Sequence, residues 1–209
     1  DLSGVNYTLG SVMHDFSVTT TTGDIFTLSE VLKEKKAVLI NFWYSECPPC
    51  RMEFPLMVEA YEKYKDDIAV IALDPPETSA QDTFEDIQMF KSTNGLTFDV
   101  AQDLEGLNRA FGVVGYPTSV MVDRYGVVTM IESGAITSQR AFDVLFGYFT
   151  ADNYQQTLVK NYEDIVPKER PGFEMPSSEE ISGVFDKGSI QGVEYLPYPD
   201  DASNEEKEY

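Results

Sequence analysis

The chain holds 209 residues, 42% of them hydrophobic and 12% aromatic, and its 36 acidic and 15 basic side chains leave a formal net charge of −21. That composition fits one folded core with appendages and contains no apolar run long enough to span a bilayer; its acidic field excludes nucleic acid and anionic lipid surfaces as expected partners. Two cysteines are too few for the disulfide framework of a small secreted scaffold.

The opening stretch, "DLSGVNYTLG", forms an N-terminal arm over residues 1–10; it has neither Met nor a leader pattern, and a cut point, from a removed leader or a cloning boundary, is expected there. "DFSVTTTTGDIFTLSE" alternates loosely and turns at Gly23-Asp24, which predicts a short β-hairpin. Ser29 is placed to cap a brief helix, "EVLKEK". "AVLINFW", residues 37–43, is a near-continuous apolar run of the kind that forms a strand buried on both faces. A helix is predicted over 48–66, where Phe54, Met57, Val58, Tyr61 and Tyr64 recur at helical spacing. "IAVIALD", residues 68–74, predicts a second buried strand. After the loop "PPETSA", a helix is predicted from Asp82 to Thr93, with Asp82 and Glu85 as its capping pair. "TFDV" is strand-like, and "DLEGLNRAFG" predicts a short helix ending at Gly112. "TSVMVDRYGVVTMIESG" reads as two strands around a tight turn at Arg124-Tyr125-Gly126. Thr137 or Ser138 then caps a helix whose Phe142, Leu145, Phe146 and Phe149 form one apolar face. Parallel β–α–β units followed by an antiparallel hairpin and a helix predict an α/β fold, with a mixed sheet and helices on both faces. A helical extension is predicted over 151–166, through Tyr154, Leu158, Tyr162 and Ile165. Residues 167–209 form an acidic, Pro/Ser/Gly-rich tail expected to be largely irregular.

Both cysteines fall in "NFWYSECPPCRMEFP", residues 41–55. At the end of a buried strand and the start of a helix, the Cys47 sulfur faces unsatisfied backbone N–H groups and the positive end of the helix dipole. Both favour thiolate, the nucleophile of disulfide exchange. Cys50, three residues on, lies on the same helix face within disulfide reach. Pro48 and Pro49 occupy the first turn, where their missing N–H groups cost nothing. The spacing predicts a reversible dithiol/disulfide with an exposed attacking sulfur and a more protected resolving one. Two structural readings compete. Zinc would need further ligands, and His14 is the only histidine. A static disulfide would close a loop too short to constrain the unfolded chain much.

This segment resembles the active-site signature of the TlpA/ResA-like thiol–disulfide oxidoreductases of the thioredoxin fold. Their pattern is a strand ending Phe-Trp, three residues, Cys-x-Pro-Cys, then basic-x-Glu-x-Pro, and Phe42, Trp43, Cys47, Pro49, Cys50, Arg51, Glu53 and Pro55 all match. The upstream hairpin, the helix over 82–93 and "VVGYPTSVMVDRYGVV" resemble the group's N-terminal hairpin, insertion and cis-proline segment. The resemblance covers residues 11–150. It implies a thioredoxin-like three-layer α/β/α fold with a mixed central sheet, an N-terminal β-hairpin and a helical insertion. It also implies Cys47 as nucleophile, Cys50 as resolving thiol, and Pro117 in cis opposite the pair, with the Tyr116 carbonyl open to a substrate backbone. Glu53 matches a carboxylate tied to cysteine proton transfer, although a first-turn acid is also favoured by the dipole alone. Trp43 packs beside the active-site turn and is a core residue first.

Two residues depart from relatives. Asn41 stands where plain thioredoxins carry a buried Asp, and Glu46 precedes the nucleophile where an uncharged residue is common. The expectation is that Glu46, Glu53 and the acidic field hold the Cys47 pKa at or above roughly 7, giving a potential nearer about −270 mV than about −120 mV. The implied function is a thiol–disulfide oxidoreductase that reduces disulfides of protein substrates outside the cytoplasm and is recharged by a thiol-donating partner. No metal and no cofactor beyond the Cys47-Cys50 pair are expected, and a monomer, with a membrane tether outside this sequence, fits the family. Two alternatives differ in class. A peroxiredoxin-like thiol peroxidase would carry a Pro-x-x-x-Thr pattern before its cysteine, and "NFWYSECPPC" lacks that Thr. A metallochaperone-type binding module would space its cysteines C-x-x-x-C and add a histidine.

Overall fold

The two apolar runs become the centre of a five-stranded sheet. The computed structural model describes Leu2, residues 4–154 and Gln156. In chain order the elements are β1 (Ser17–Thr19), β2 (Ile25–Thr27), α1 (Leu28–Glu34), β3 (Ala37–Phe42), α2 (Pro48–Tyr64), β4 (Ile68–Asp74), α3 (Phe84–Asn94), β5 (Asp99–Gln102), α4 (Leu107–Ala110), β6 (Thr118–Asp123), β7 (Val128–Ser133) and α5 (Gln139–Thr150). The central sheet runs β5-β4-β3-β6-β7, and β1-β2 form a separate hairpin. β3 is parallel to β4 and β4 to β5, whereas β6 runs antiparallel to both β3 and β7. Every residue of β3, β4 and β6 is buried, which is why β3 and β4 read as continuous rather than alternating apolar runs.

The sheet separates two cores. On one face Leu39, Trp43, Met121 and Met130 pack with Cys50, Phe54 and Met57 of α2, Phe90 of α3 and the Phe142/Phe146/Phe149 stripe of α5. On the other, Val38, Ile40, Phe42 and Val120 meet Val18 and Phe26 of the hairpin, Leu28 of α1 and Leu107 of α4. The arm preceding the hairpin joins this second core, with Tyr7 buried and its N–H donating to the Ala110 carbonyl at 2.8 Å. This is the expected α/β/α arrangement with an N-terminal hairpin and an added helix.

Three local expectations are corrected. Thr27, not Ser29, is the N-cap of α1. Ser29 lies inside the helix, where its N–H and hydroxyl donate to Asp15 at 2.9 and 2.6 Å. The capping box of α3 is Thr83 with Asp86, one residue beyond the expected pair, so that Asp82 is free for another task. The edge strand β5 opens at Asp99, not at Thr97. Of the expected helical extension, Asp152 and Asn153 form a turn; the remainder of 151–166, apart from Ala151, Tyr154 and Gln156, and all of 167–209 lie outside the described residues.

Candidate active site

The central strand β3 delivers the chain to one end of the sheet, and α2 starts six residues after Phe42, at Pro48. Cys47 is the N-cap of α2, and its Sγ accepts the Cys50 N–H at 3.2 Å. Pro48 and Pro49 fill the first two helical positions, where the absent N–H groups forfeit no hydrogen bond. The two cysteines are joined as a disulfide, their Cα atoms 5.3 Å apart. The expected contrast between an exposed and a protected sulfur does not hold. Cys47 is 1% exposed and Cys50 0%, whereas Glu46, Pro48 and Pro49 around them are exposed. The reason lies in the junction itself: Cys47 turns inward as a cap, against the same core that holds Cys50.

The loop before Cys47 is clamped by α2 and by the residue just ahead of the α3 cap. Ser45 donates its N–H and hydroxyl to Asp82 at 2.7 and 2.5 Å, and its carbonyl accepts Arg51 Nε at 2.6 Å. The Arg51 guanidinium also lies over the Phe90 ring of α3, 5.3 Å from its centroid. The inserted helix therefore anchors the loop that presents the nucleophile. Asp82 in turn faces Asp74 at the end of β4. Burial, and then the Asp82 carboxylate beside it, push Asp74 up to about 9. Neither Asp74 oxygen meets a hydrogen-bond partner, so no donor stabilises its charged form against burial.

Glu53 sits one turn into α2 and is 1% exposed. Burial pushes its carboxyl well above the usual carboxylate range; the Ile136 N–H and the Ser119 hydroxyl, which favour its charge, offset only part of that, and the charge of Glu132 adds to it. Neither Glu53 oxygen makes a hydrogen bond of normal geometry, so the approaches of Ile136 and Ser119 are weak ones. This separates Glu53 from an ordinary first-turn acid, which would be solvated. Asn41 is fully buried and donates from Nδ2 to Ser119 Oγ at 3.0 Å. Trp43 is a core residue as expected, edge-on to Phe54 at 5.0 Å and tilted against Phe90 at 4.8 Å.

The Tyr116-Pro117 bond is cis. Tyr116 stacks edge-on with Tyr44 at 5.4 Å, and Val114, two residues earlier, is almost fully exposed at 96%. Burial, and the charges of Glu77, Asp103 and Asp74, raise the Tyr116 phenol above its ordinary value. Glu46 is exposed, so solvent screens its charge from Cys47. His14 bonds Tyr7 in the N-terminal arm, and among the described residues no three His, Cys, Asp or Glu groups are grouped as a metal site.

Three residues were missed by reading the sequence: Asp74, Asp82 in its clamping role, and Glu132. Asp74 ends an apolar run, and Glu132 shares the inward alternation of Met130 in "VTMIES". In both cases an acid at an inward strand position was the available signal.

Sheet, junction and disulfide together define a thiol–disulfide oxidoreductase with the thioredoxin architecture. A family model described as AhpC/TSA family matches residues 9–131, and the chain belongs to that family. It is 35% identical over 130 residues to the thioredoxin-like protein YneN of Bacillus subtilis strain 168, covering 62% of this chain and 74% of that one. It is 33% identical over 139 residues to the thiol-disulfide oxidoreductase ResA of Bacillus thuringiensis subsp. konkukian, covering 66% and 76%. A solved structure, a thiol:disulfide interchange protein from Chlorobium tepidum TLS, aligns with a TM-score of 0.60 at 26% identity, over 69% of this chain and 99% of that one.

Proposed function

We propose that this oxidoreductase works as a reductant of protein disulfides outside the cytoplasm. The observation that carries the reading is the cap geometry: one backbone N–H, from Cys50, reaches the Cys47 sulfur, and the cysteine is otherwise buried. Burial opposes thiolate formation and the single donor favours it, so the dithiol form is not strongly acidified and the couple is a weak oxidant. In the reductive direction the Cys47 thiolate attacks a substrate disulfide, forming a mixed disulfide and releasing one substrate thiolate. Cys50 gives its proton to Glu53, and its thiolate attacks the Cys47 sulfur. The second substrate thiol leaves, and the Cys47–Cys50 disulfide is restored with two electrons transferred. A thiol-donating partner then recharges the pair. Tyr116 and Pro117 border the groove that receives the substrate backbone, and the acidic surface favours substrates with basic or neutral flanks.

The test is a Cys50→Ser variant expressed with its native localisation. It is expected to accumulate mixed disulfides through Cys47 with proteins of the cell envelope, identified by mass spectrometry. Absence of any adduct, or adducts confined to cytoplasmic proteins, would overturn the reading. A reduction potential above about −180 mV would reverse the proposed direction.

A further inference from the structure

Asn41, Ser119 and Glu132 are Cα partners across three adjacent strands, β3, β6 and β7. Directly opposed residues project from the same face of a sheet, so the three form a polar row on the face that receives α2 and α5. Leu39, Met121 and Met130, on the same side of their strands, pack there against Cys50, Phe54 and Met57. All three members of the row are buried, at 0%, 0% and 4% exposure. Glu53 descends onto this row from α2, three residues beyond Cys50, with Ser119, Ile136 and Glu132 as the groups that act on it.

We propose that Glu132 is a positioning residue for the proton chemistry of the cysteine pair: a second buried carboxyl that shares protons with Glu53 and sets the pH at which Glu53 accepts one from Cys50. The proposal rests on reading Glu53 as that acceptor. The groups that act on Glu53 are the Ile136 N–H before α5, Ser119 from β6 and Glu132 from β7, while Asn41 of β3 bonds to Ser119 and Cys50 lies three residues back on the same helix; beyond that helix, Glu132 is the titratable one. No ion pair among the described residues includes either glutamate. Burial pushes Glu132 up to about 8, and one of its oxygens also lacks a partner. Two such carboxyls without a cation lose their protons in steps that belong to the pair, because the first charge raises the cost of the second. A neutral glutamine at 132 removes that repulsion, and Glu53 then releases its proton at lower pH.

The experiment compares the pH dependence of insulin-disulfide reduction, recycled by dithiothreitol, for wild type, Glu132→Gln, Glu53→Gln and the double variant. Glu132→Gln is expected to move the Glu53-dependent inflection toward acid by about one pH unit, the scale at which coupled groups titrate together. In the Glu53→Gln background the same change is expected to move nothing. An equal shift in both backgrounds, or no shift in either, overturns the role of Glu132 while leaving Glu53 standing if Glu53→Gln alone alters the profile. A profile indifferent to Glu53→Gln overturns the reading of Glu53 and this proposal with it. Carbon-13 carboxyl titration of the wild-type protein needs no variant to fold: shared two-step curves for Glu53 and Glu132 support the proposal, and an independent single step for Glu132 in the ordinary carboxylate range rejects it.

Discussion

Ser119 is a small residue with a large share of the site, since its hydroxyl accepts from Asn41 and leans toward Glu53. Ser119→Ala strands the Asn41 amide in the core and is expected to destabilise the fold by about 1–3 kcal/mol, the cost of an unmade buried hydrogen bond, measurable by urea unfolding. It also removes a group that favours the Glu53 anion, so the inflection of activity assigned to Glu53 is expected to move to higher pH. A packing substitution of similar cost, such as Met57→Ala, is expected to leave that inflection in place. Asn41 has a matching signature: its Oδ1 is buried without a partner, as are both Glu53 oxygens and the Trp43 indole nitrogen. Natural cores satisfy nearly all such atoms, and this concentration of exceptions beneath the cysteines marks where packing gives way to chemistry.

At the scale of elements, α3 is the piece that couples the sheet edge to the nucleophile loop. Asp82→Ala removes both acceptors of Ser45 and is expected to speed amide hydrogen exchange at Ser45 and Glu46, with Asp82→Asn, which keeps one acceptor, recovering part of the protection. Phe90→Ala loosens the same connection from the apolar side, because Phe90 touches Trp43 and Phe54 and lies under Arg51. A loss of about 3–5 kcal/mol is expected on thermal or denaturant unfolding. These elements also show why sequence reading succeeded in some places and failed in others. β3, β4 and α2 were legible because apolar runs and proline positions are local signals. So was the cysteine pair, whose chemistry needs neighbours only three residues apart. The capping box slipped by one residue because Asp82–Glu85 and Thr83–Asp86 are equally good local patterns, and only the distant Ser45 distinguishes them. The burial of Cys47 and the inward turn of Glu132 depend on strand register and helix docking, to which no short stretch of sequence has access.

For the molecule as a whole, three inward acids give stability a definite pH slope. Asp74, Glu53 and Glu132 hold their protons more tightly when folded than in their ordinary ranges. Over that interval the native state carries more protons than the unfolded chain, so unfolding free energy falls as pH rises, by at most about 1.4 kcal/mol per pH unit for each group. Asp74 contributes fully below its ordinary value of 3.8 and loses the contribution as pH rises through about 9. The melting temperature is therefore expected to be higher at pH 6 than at pH 8.5. Relief of repulsion in a chain of net charge −21 acts in the same direction, and Asp74→Asn separates the two by flattening the part that belongs to that carboxyl. The two ends of the sheet are also put to different uses. Tyr154 and Gln156 both donate to Asp123, at 2.9 and 2.7 Å, and Asp123 pairs with Ala37, the residue of β3 farthest from the cysteines. Six residues of strand stand between that anchor and the disulfide, a span of roughly 17 Å. A resin, electrode or fluorescent label coupled at position 156 would thus hold the molecule by one pole and leave the reactive pole facing the solution, a ready orientation for measuring exchange on an immobilised sample.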